Sequence, residues 1–149
     1  MNKFYKLALA LLPIGAIAQP TITDSWQPSV GETYDFVSVD QNFTFPSAGA
    51  NQTWDYSNIN LGSSLVHDFI DASTTPYGSN FPNANMAYSP AGSGAYIYYE
   101  TTPSAFLDWG LQTAQSDVTY TDPLSYISFP VTYGDTDSDN AAGTIVGGM

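Results

Sequence analysis

Tyr126-Ile127-Ser128-Phe129-Pro130-Val131-Thr132-Tyr133 is the stretch on which the fold turns. Ile127, Phe129, Val131 and Tyr133 alternate with Tyr126, Ser128, Pro130 and Thr132. A period of two is the signature of an extended strand with one face on a core. Pro130 cannot donate to a ladder, so it marks an edge or a bulge. Working outward, the same alternation or β-branched and aromatic enrichment recurs over 33–39, 52–56, 64–70, 95–100 and 105–111. Trp54 and Tyr56 share a face; Tyr96 and Tyr98 stand opposite Ala95, Ile97 and Tyr99; Leu107, Trp109 and Leu111 fall together. No window from residue 19 onward places apolar residues at helical spacing.

Turn chemistry separates these runs: Ser47-Ala48-Gly49-Ala50-Asn51, Thr75-Pro76-Tyr77-Gly78, Ser89-Pro90-Ala91-Gly92, Thr121-Asp122-Pro123 and Gly134-Asp135. Gly, Pro, Asn and Asp hold such places through their backbone angles. Short strands between regular turns point to an all-β fold, an antiparallel β-sandwich of jelly-roll-like or immunoglobulin-like form. The polar stretch 71–85 reads as one long loop, the segment expected to be most mobile.

At the other end, Met1-Asn2-Lys3-Phe4-Tyr5-Lys6 precedes an apolar run from Leu7 to Ile14 and the small-residue exit Gly15-Ala16-Ile17-Ala18. A basic start, a short apolar core and a small-x-small exit form a secretory signal peptide, with cleavage expected after Ala18. A spanning helix needs about 20 apolar residues, and Pro13 and Gly15 interrupt this shorter stretch. The expected arrangement is a signal peptide over 1–18 and one β-rich secreted domain over 19–149, with no membrane insertion once the peptide is removed.

Both basic residues, Lys3 and Lys6, leave with that peptide, while all 14 acidic residues, His67 and no Cys remain. Such a polyanion cannot make the Lys and Arg phosphate contacts that dominate nucleic-acid affinity, so nucleic acid is excluded as a partner. Absent Cys rules out disulfides and thiolate metal sites. Three Trp remain, together with all Tyr but Tyr5 and all Phe but Phe4, which argues for a folded core over disorder. The charge then reads as surface, soluble and self-repelling, and a saline habitat is the expectation.

Two segments carry a resemblance: Gly49-Ala50-Asn51-Gln52-Thr53-Trp54-Asp55-Tyr56-Ser57, and the stretch from Pro123 to Asp135 that contains the opening strand. With Gly31-Glu32-Thr33-Tyr34 ahead of them, they resemble the N-terminal β-rich module of bacterial secreted proteins exported by the type IX secretion system. That resemblance implies a secreted or cell-surface location and a module with no chemistry attached. Proteins of this kind end in a separate sorting domain, which this sequence lacks. Gly143-Thr144-Ile145-Val146-Gly147-Gly148-Met149 begins what reads as another strand and stops, so a truncated chain with an incomplete sheet is expected. An unpaired edge of that kind invites self-association.

The sharpest chemical motif is Asp135-Thr136-Asp137-Ser138-Asp139. Calcium takes about six to eight oxygens, and carboxylates at alternate positions converge when a loop curls, so Asp135, Asp137 and Asp139 are the candidate calcium ligands. The helix-loop-helix form does not fit, since Asn140 and Val146 stand where Gly and Glu are needed. Calcium is thus the one cofactor the sequence offers.

Catalysis has few candidates. His67 lies beside Asp68, but adjacent strand residues point to opposite faces, and no nucleophile elbow occurs. Glu100 and Asp108, near Tyr and Trp rings, are the pair to examine for glycoside hydrolysis. Tyr96, Tyr98, Tyr99 and Trp109 are the candidate glycan-stacking residues, set against a role in core packing. The resulting expectation is a non-catalytic module, the structural or adhesive part of a larger extracellular protein. The alternatives are a carbohydrate-binding module using surface aromatics, or a calcium-stabilised domain accompanying an absent hydrolase.

Overall fold

A computed structural model describes residues 20–39, 48–51, 53, 55–57 and 59–147. The expected signal peptide and the expected strand positions Gln52 and Trp54 lie outside the described residues. The fold is all-β and antiparallel, as the alternation requires. Seven strands, β1 (Thr33–Val39), β2 (Leu61–Asp71), β3 (Met86–Pro90), β4 (Tyr96–Thr101), β5 (Ala105–Gln112), β6 (Ser116–Ser128) and β7 (Ala142–Gly147), follow one another in space in chain order. Each pairs with its sequence neighbour, so the described strands make one continuous sheet.

Local chemistry makes the tight connections. Thr102 Oγ1 accepts the N–H groups of Ser104 and Ala105 between β4 and β5, and Thr113 Oγ1 does the same for Gln115 and Ser116 between β5 and β6. Asn51, placed by sequence in a turn that tolerates left-handed backbone, has φ 59°.

The sheet is covered on one face by residues 72–85. Two short 3-10 turns, Ala72–Thr74 and Gly78–Asn80, lay Ala72 and Phe81 onto Ala87 of β3 and Tyr98 of β4, with Ile70, Tyr77, Tyr96 and Trp109 packed around them. This corrects the reading of 71–85 as one long loose loop. Ala72, Thr75, Gly78 and Phe81 are buried, and the segment is a lid on the core. Burial offsets the ordering cost that a polar stretch of this length otherwise leaves uncompensated.

A second covering element is a strap over residues 22–32. Ile22 pairs with Val131 beyond β6, Gln27 Nε2 donates to the Thr102 carbonyl at 2.6 Å, and Gly31 and Glu32 exchange backbone bonds with Phe69 of β2. The strap ties the start of β1 to the far side of the sheet.

The opening stretch is a strand only in its first half. β6 ends at Ser128, Phe129 makes a last bond to the Ser104 carbonyl, and Val131 turns to the strap. Pro130, with no N–H, cannot continue the ladder. Thr121-Asp122-Pro123, read as a turn, instead lies inside β6 where pairing to β5 slips, Asp108 facing Leu124 but Gly110 facing Thr119. A bulge uses turn residues without ending a strand.

Candidate functional site

Register fixes which side chains share a face. Tyr34 of β1 lies opposite His67, Phe69 opposite Tyr88, Tyr88 opposite Ile97, and Tyr99 opposite Asp108. Side chains alternate along a strand, so these residues occupy the face away from the lid. They form a row of rings across six strands. Phe36 meets His67 at 4.3 Å, Tyr34 meets Phe69 at 5.7 Å, and Tyr88 packs on both His67 and Phe69 at 5.1 Å. Beyond Ile97, Tyr99 packs on Phe106 at 4.8 Å and on Tyr126 at 5.9 Å. The outer members are half exposed: 46 % for Tyr34, 54 % for Phe36 and 54 % for Tyr126.

One carboxyl lies under this row. Asp108 is buried, accepts the Gly110 N–H at 2.7 Å and the Tyr126 hydroxyl at 3.3 Å, and meets no cation among the described residues. Loss of water pushes its carboxyl above the ordinary range, partly opposed by those two bonds. Burial likewise pushes the hydroxyls of Tyr99 and Tyr126 upward, and the Asp108 charge reinforces this. The cluster is an anionic, ring-walled spot with hydrogen-bond donors already in use.

The sequence-derived candidates are distributed differently. Tyr98 is fully buried and Tyr99 is 8 % exposed, so neither ring offers a free face to a sugar. Tyr96 and Trp109 are half-buried against the lidded core. Register explains the correction. The Tyr98 side faces the lid, and Trp109 is the extra residue of a β5 bulge, its Nε1 donating to Glu100 Oε2 at 2.9 Å. Glu100 therefore stands on the lidded face and Asp108 on the other, so the pair weighed for glycoside hydrolysis does not flank a common bond. His67 is held by the Tyr88 hydroxyl, and its neighbour Asp68 takes the opposite face.

The acidic motif is extended. Asp135 caps the Thr132 N–H and hydroxyl, Asp137 accepts from the Ser128 hydroxyl, and Asp139 accepts from the Ser125 N–H at 2.6 Å. Each carboxylate reaches a different point along β6 and the segment after it. Among the described residues no group of three or more His, Cys, Asp or Glu side chains is placed to hold a metal ion. Those donors hold Asp135 below the ordinary carboxylate range.

Sequence reasoning missed the ring row, although 34 and 36, 67 and 69, and 106 and 108 obey its spacing; only the strand register joins such pairs into a line. Compared with known proteins, the chain matches no family model, no curated protein and no solved structure. No helix among the described residues is long and apolar enough to cross a membrane.

Proposed function

We propose that this chain is a secreted or cell-surface β module that works by contact, as a structural or adhesive part of a larger extracellular protein. The observation that carries this reading is the ring row on the face opposite the lid. Its exposed members Tyr34 and Phe36 stand beside the exposed Leu65 of β2, which lies opposite Phe36 on the same face. Apolar exposure concentrated on neighbouring strands marks a surface made for contact. The export-type sequence of residues 1–18 and the resemblance to type IX-exported modules supply the location. The separation of Glu100 from Asp108 favours binding over hydrolysis. Calcium stabilisation draws no support from the spread of Asp135, Asp137 and Asp139.

The test is the native product, recovered from cells, culture medium and washed cell surface, with its intact mass. A surface or medium product beginning at residue 19, released from the surface by the double substitution Phe36→Ser and Tyr126→Ser, is the expected result. A product that stays inside the cell with residues 1–18 attached overturns the reading.

A further inference from the structure

We infer that the exported chain carries a covalently closed N-terminus: Gln19, set free by cleavage after Ala18, cyclises onto its own amine to give a neutral lactam. This rests on the export reading of residues 1–18, because only removal of that peptide makes Gln19 a terminal residue. Gln19 itself lies outside the described residues. The step needs no second reactant. The α-amino nitrogen attacks the side-chain amide carbon Cδ, so the N–Cδ bond forms and the Cδ–Nε2 bond breaks. Nε2 leaves as ammonia with the proton that the amine gives up, and nothing is oxidised or reduced. An ordinary α-amino group titrates near about pH 8, so a share of it is the free nucleophile at neutral pH.

The structure places that end at the surface. Pro20 and Thr21 are exposed, and the first fixed point of the chain is Ile22, whose N–H donates to the Val131 carbonyl at 2.8 Å and whose carbonyl accepts the Val131 N–H at 2.9 Å. The cleaved chain therefore reaches its anchor within a few residues of the reacting group, and no buried segment precedes the anchor. The cleft against Pro20 is walled by Ile22, Val131, Thr132 and Tyr133, with no carboxylate among the lining residues. An ammonium held in an ion pair stays protonated and cannot attack, and this wall offers no such pair.

Closure completes a pattern in the sequence. Past Lys6 the chain has no Lys or Arg, so the α-amine of Gln19 is the sole amine of the exported protein, and cyclisation removes it. Proteases that cut after basic residues then find no site, and aminopeptidases find no terminal amine. Domain ends are where proteolysis concentrates. A chain closed in this way persists in a protease-rich medium outside the cell, and His67 is left as its only group able to carry a positive charge.

The experiment collects the native product quickly and in the cold, so that closure during handling does not enter. Its N-terminal peptide, released by a protease that cuts beside acidic residues, is sequenced by tandem mass spectrometry. The intact protein is treated with formaldehyde and cyanoborohydride, which methylate amines, and separately with an aminopeptidase that cuts before proline. Expected are a peptide lighter than open Gln19 requires by one ammonia, no methyl groups taken up, and full resistance to the aminopeptidase. Gln19→Asn, whose shorter side chain cannot close the ring without strain, is expected to be exported and cut at the same bond. It is expected to take up methyl groups and to lose its first residue. A native product that begins at residue 19 with an open, methylated amine overturns this inference and leaves the export reading standing. A product that keeps residues 1–18 overturns both.

Discussion

The rings of Phe81 and Tyr98 lie 4.0 Å apart and 10° from parallel, joining the lid to the centre of the sheet. Tyr98 also shares a hydrogen bond with Thr75 at 2.7 Å, and Thr75 donates to the Ala72 carbonyl at 2.8 Å. One aromatic pair and one hydroxyl relay thus decide whether residues 72–85 are a lid or a loose loop.

Phe81→Ala removes the larger part of that attachment. Truncating a buried Phe costs about 3–5 kcal/mol, a large share of a total of about 5–15 kcal/mol. Urea unfolding is expected to show that loss, with the near-ultraviolet signal of the tyrosines reduced in the native baseline. Thr75→Val leaves the buried Tyr98 hydroxyl without its side-chain partner and is expected to cost about 1–3 kcal/mol. A loss under about 1 kcal/mol for Phe81→Ala would mean that the lid is not part of the cooperative core.

Asp108 gives the fold a pH dependence of definite sign. Its folded pKa is raised above 3.8, so the folded state binds the proton more tightly than the unfolded chain. The stabilising effect of the protonated form is complete below the unfolded value and is lost as pH rises through the folded value. Asp71 and Asp135 have lowered values and act oppositely, at lower pH, because their contribution is lost only as pH falls through those values. Asp108→Asn is expected to raise the neutral-pH Tm and to flatten the loss of stability above the ordinary carboxylate range, by about 1.4 kcal/mol for every tenfold by which folding tightens proton binding at this carboxyl. Parallel pH profiles for the two proteins would refute this role.

Gly110 is the position where backbone leaves no choice. Its φ is +134°, and a Cβ there would sit 1.9 Å from the Val118 carbonyl oxygen. The clash is with backbone across the β5–β6 bulge, so no rotamer relieves it. Gly110→Ala is expected to abolish folding or to cost more than about 4 kcal/mol, read as loss of soluble product and of the native circular dichroism spectrum. A near-native Tm would show that the bulge is plastic.

Among the described residues β7 is an edge strand of the sheet, and it carries no charged side chain. Its six residues are all exposed, with Ile145 at 78 % and Val146 at 62 %, whereas the opposite edge strand β1 carries Asp35. A second copy of the chain is the expected occupant, pairing β7 against β7 once salt screens the net charge. Sedimentation velocity is expected to show concentration-dependent dimers at high salt, lost in Ile145→Glu. Dimers that persist in that variant would place the interface elsewhere.

Salt is expected to raise the Tm of the chain from residue 19 onward, because self-repulsion among acidic side chains has no internal cation to oppose it. Calcium at matched ionic strength is expected to add nothing, given the separate donors of Asp135, Asp137 and Asp139. A calcium-specific rise abolished by Asp137→Asn would restore the ion site.

Strand identity was legible where the pattern is local. The run 33–39 coincides with β1, while 64–70, 95–100 and 105–111 fall on β2, β4 and β5, because alternation and β-branched or aromatic side chains encode an extended half-buried backbone within a few residues. β3 was hidden by its brevity and by Pro90, which reads as punctuation but closes the strand opposite His67. The second half of 126–133 kept the period of two and lost the strand, because alternation cannot tell whether a partner is there to pair.

By itself the sequence determined the all-β class, the position of most strands, the turn at Asn51, and a surface without compensating cations after residue 18. Those properties follow from side-chain period, backbone angle and charge, each set by a residue and its near neighbours. Only the tertiary structure decided which rings became core and which became surface, that Glu100 and Asp108 are divided by the sheet, and that residues 22–32 close a polar cleft against Thr102. These depend on strand register and two bulges. A shift of one residue exchanges the faces of a strand, and no local pattern of residues specifies that choice.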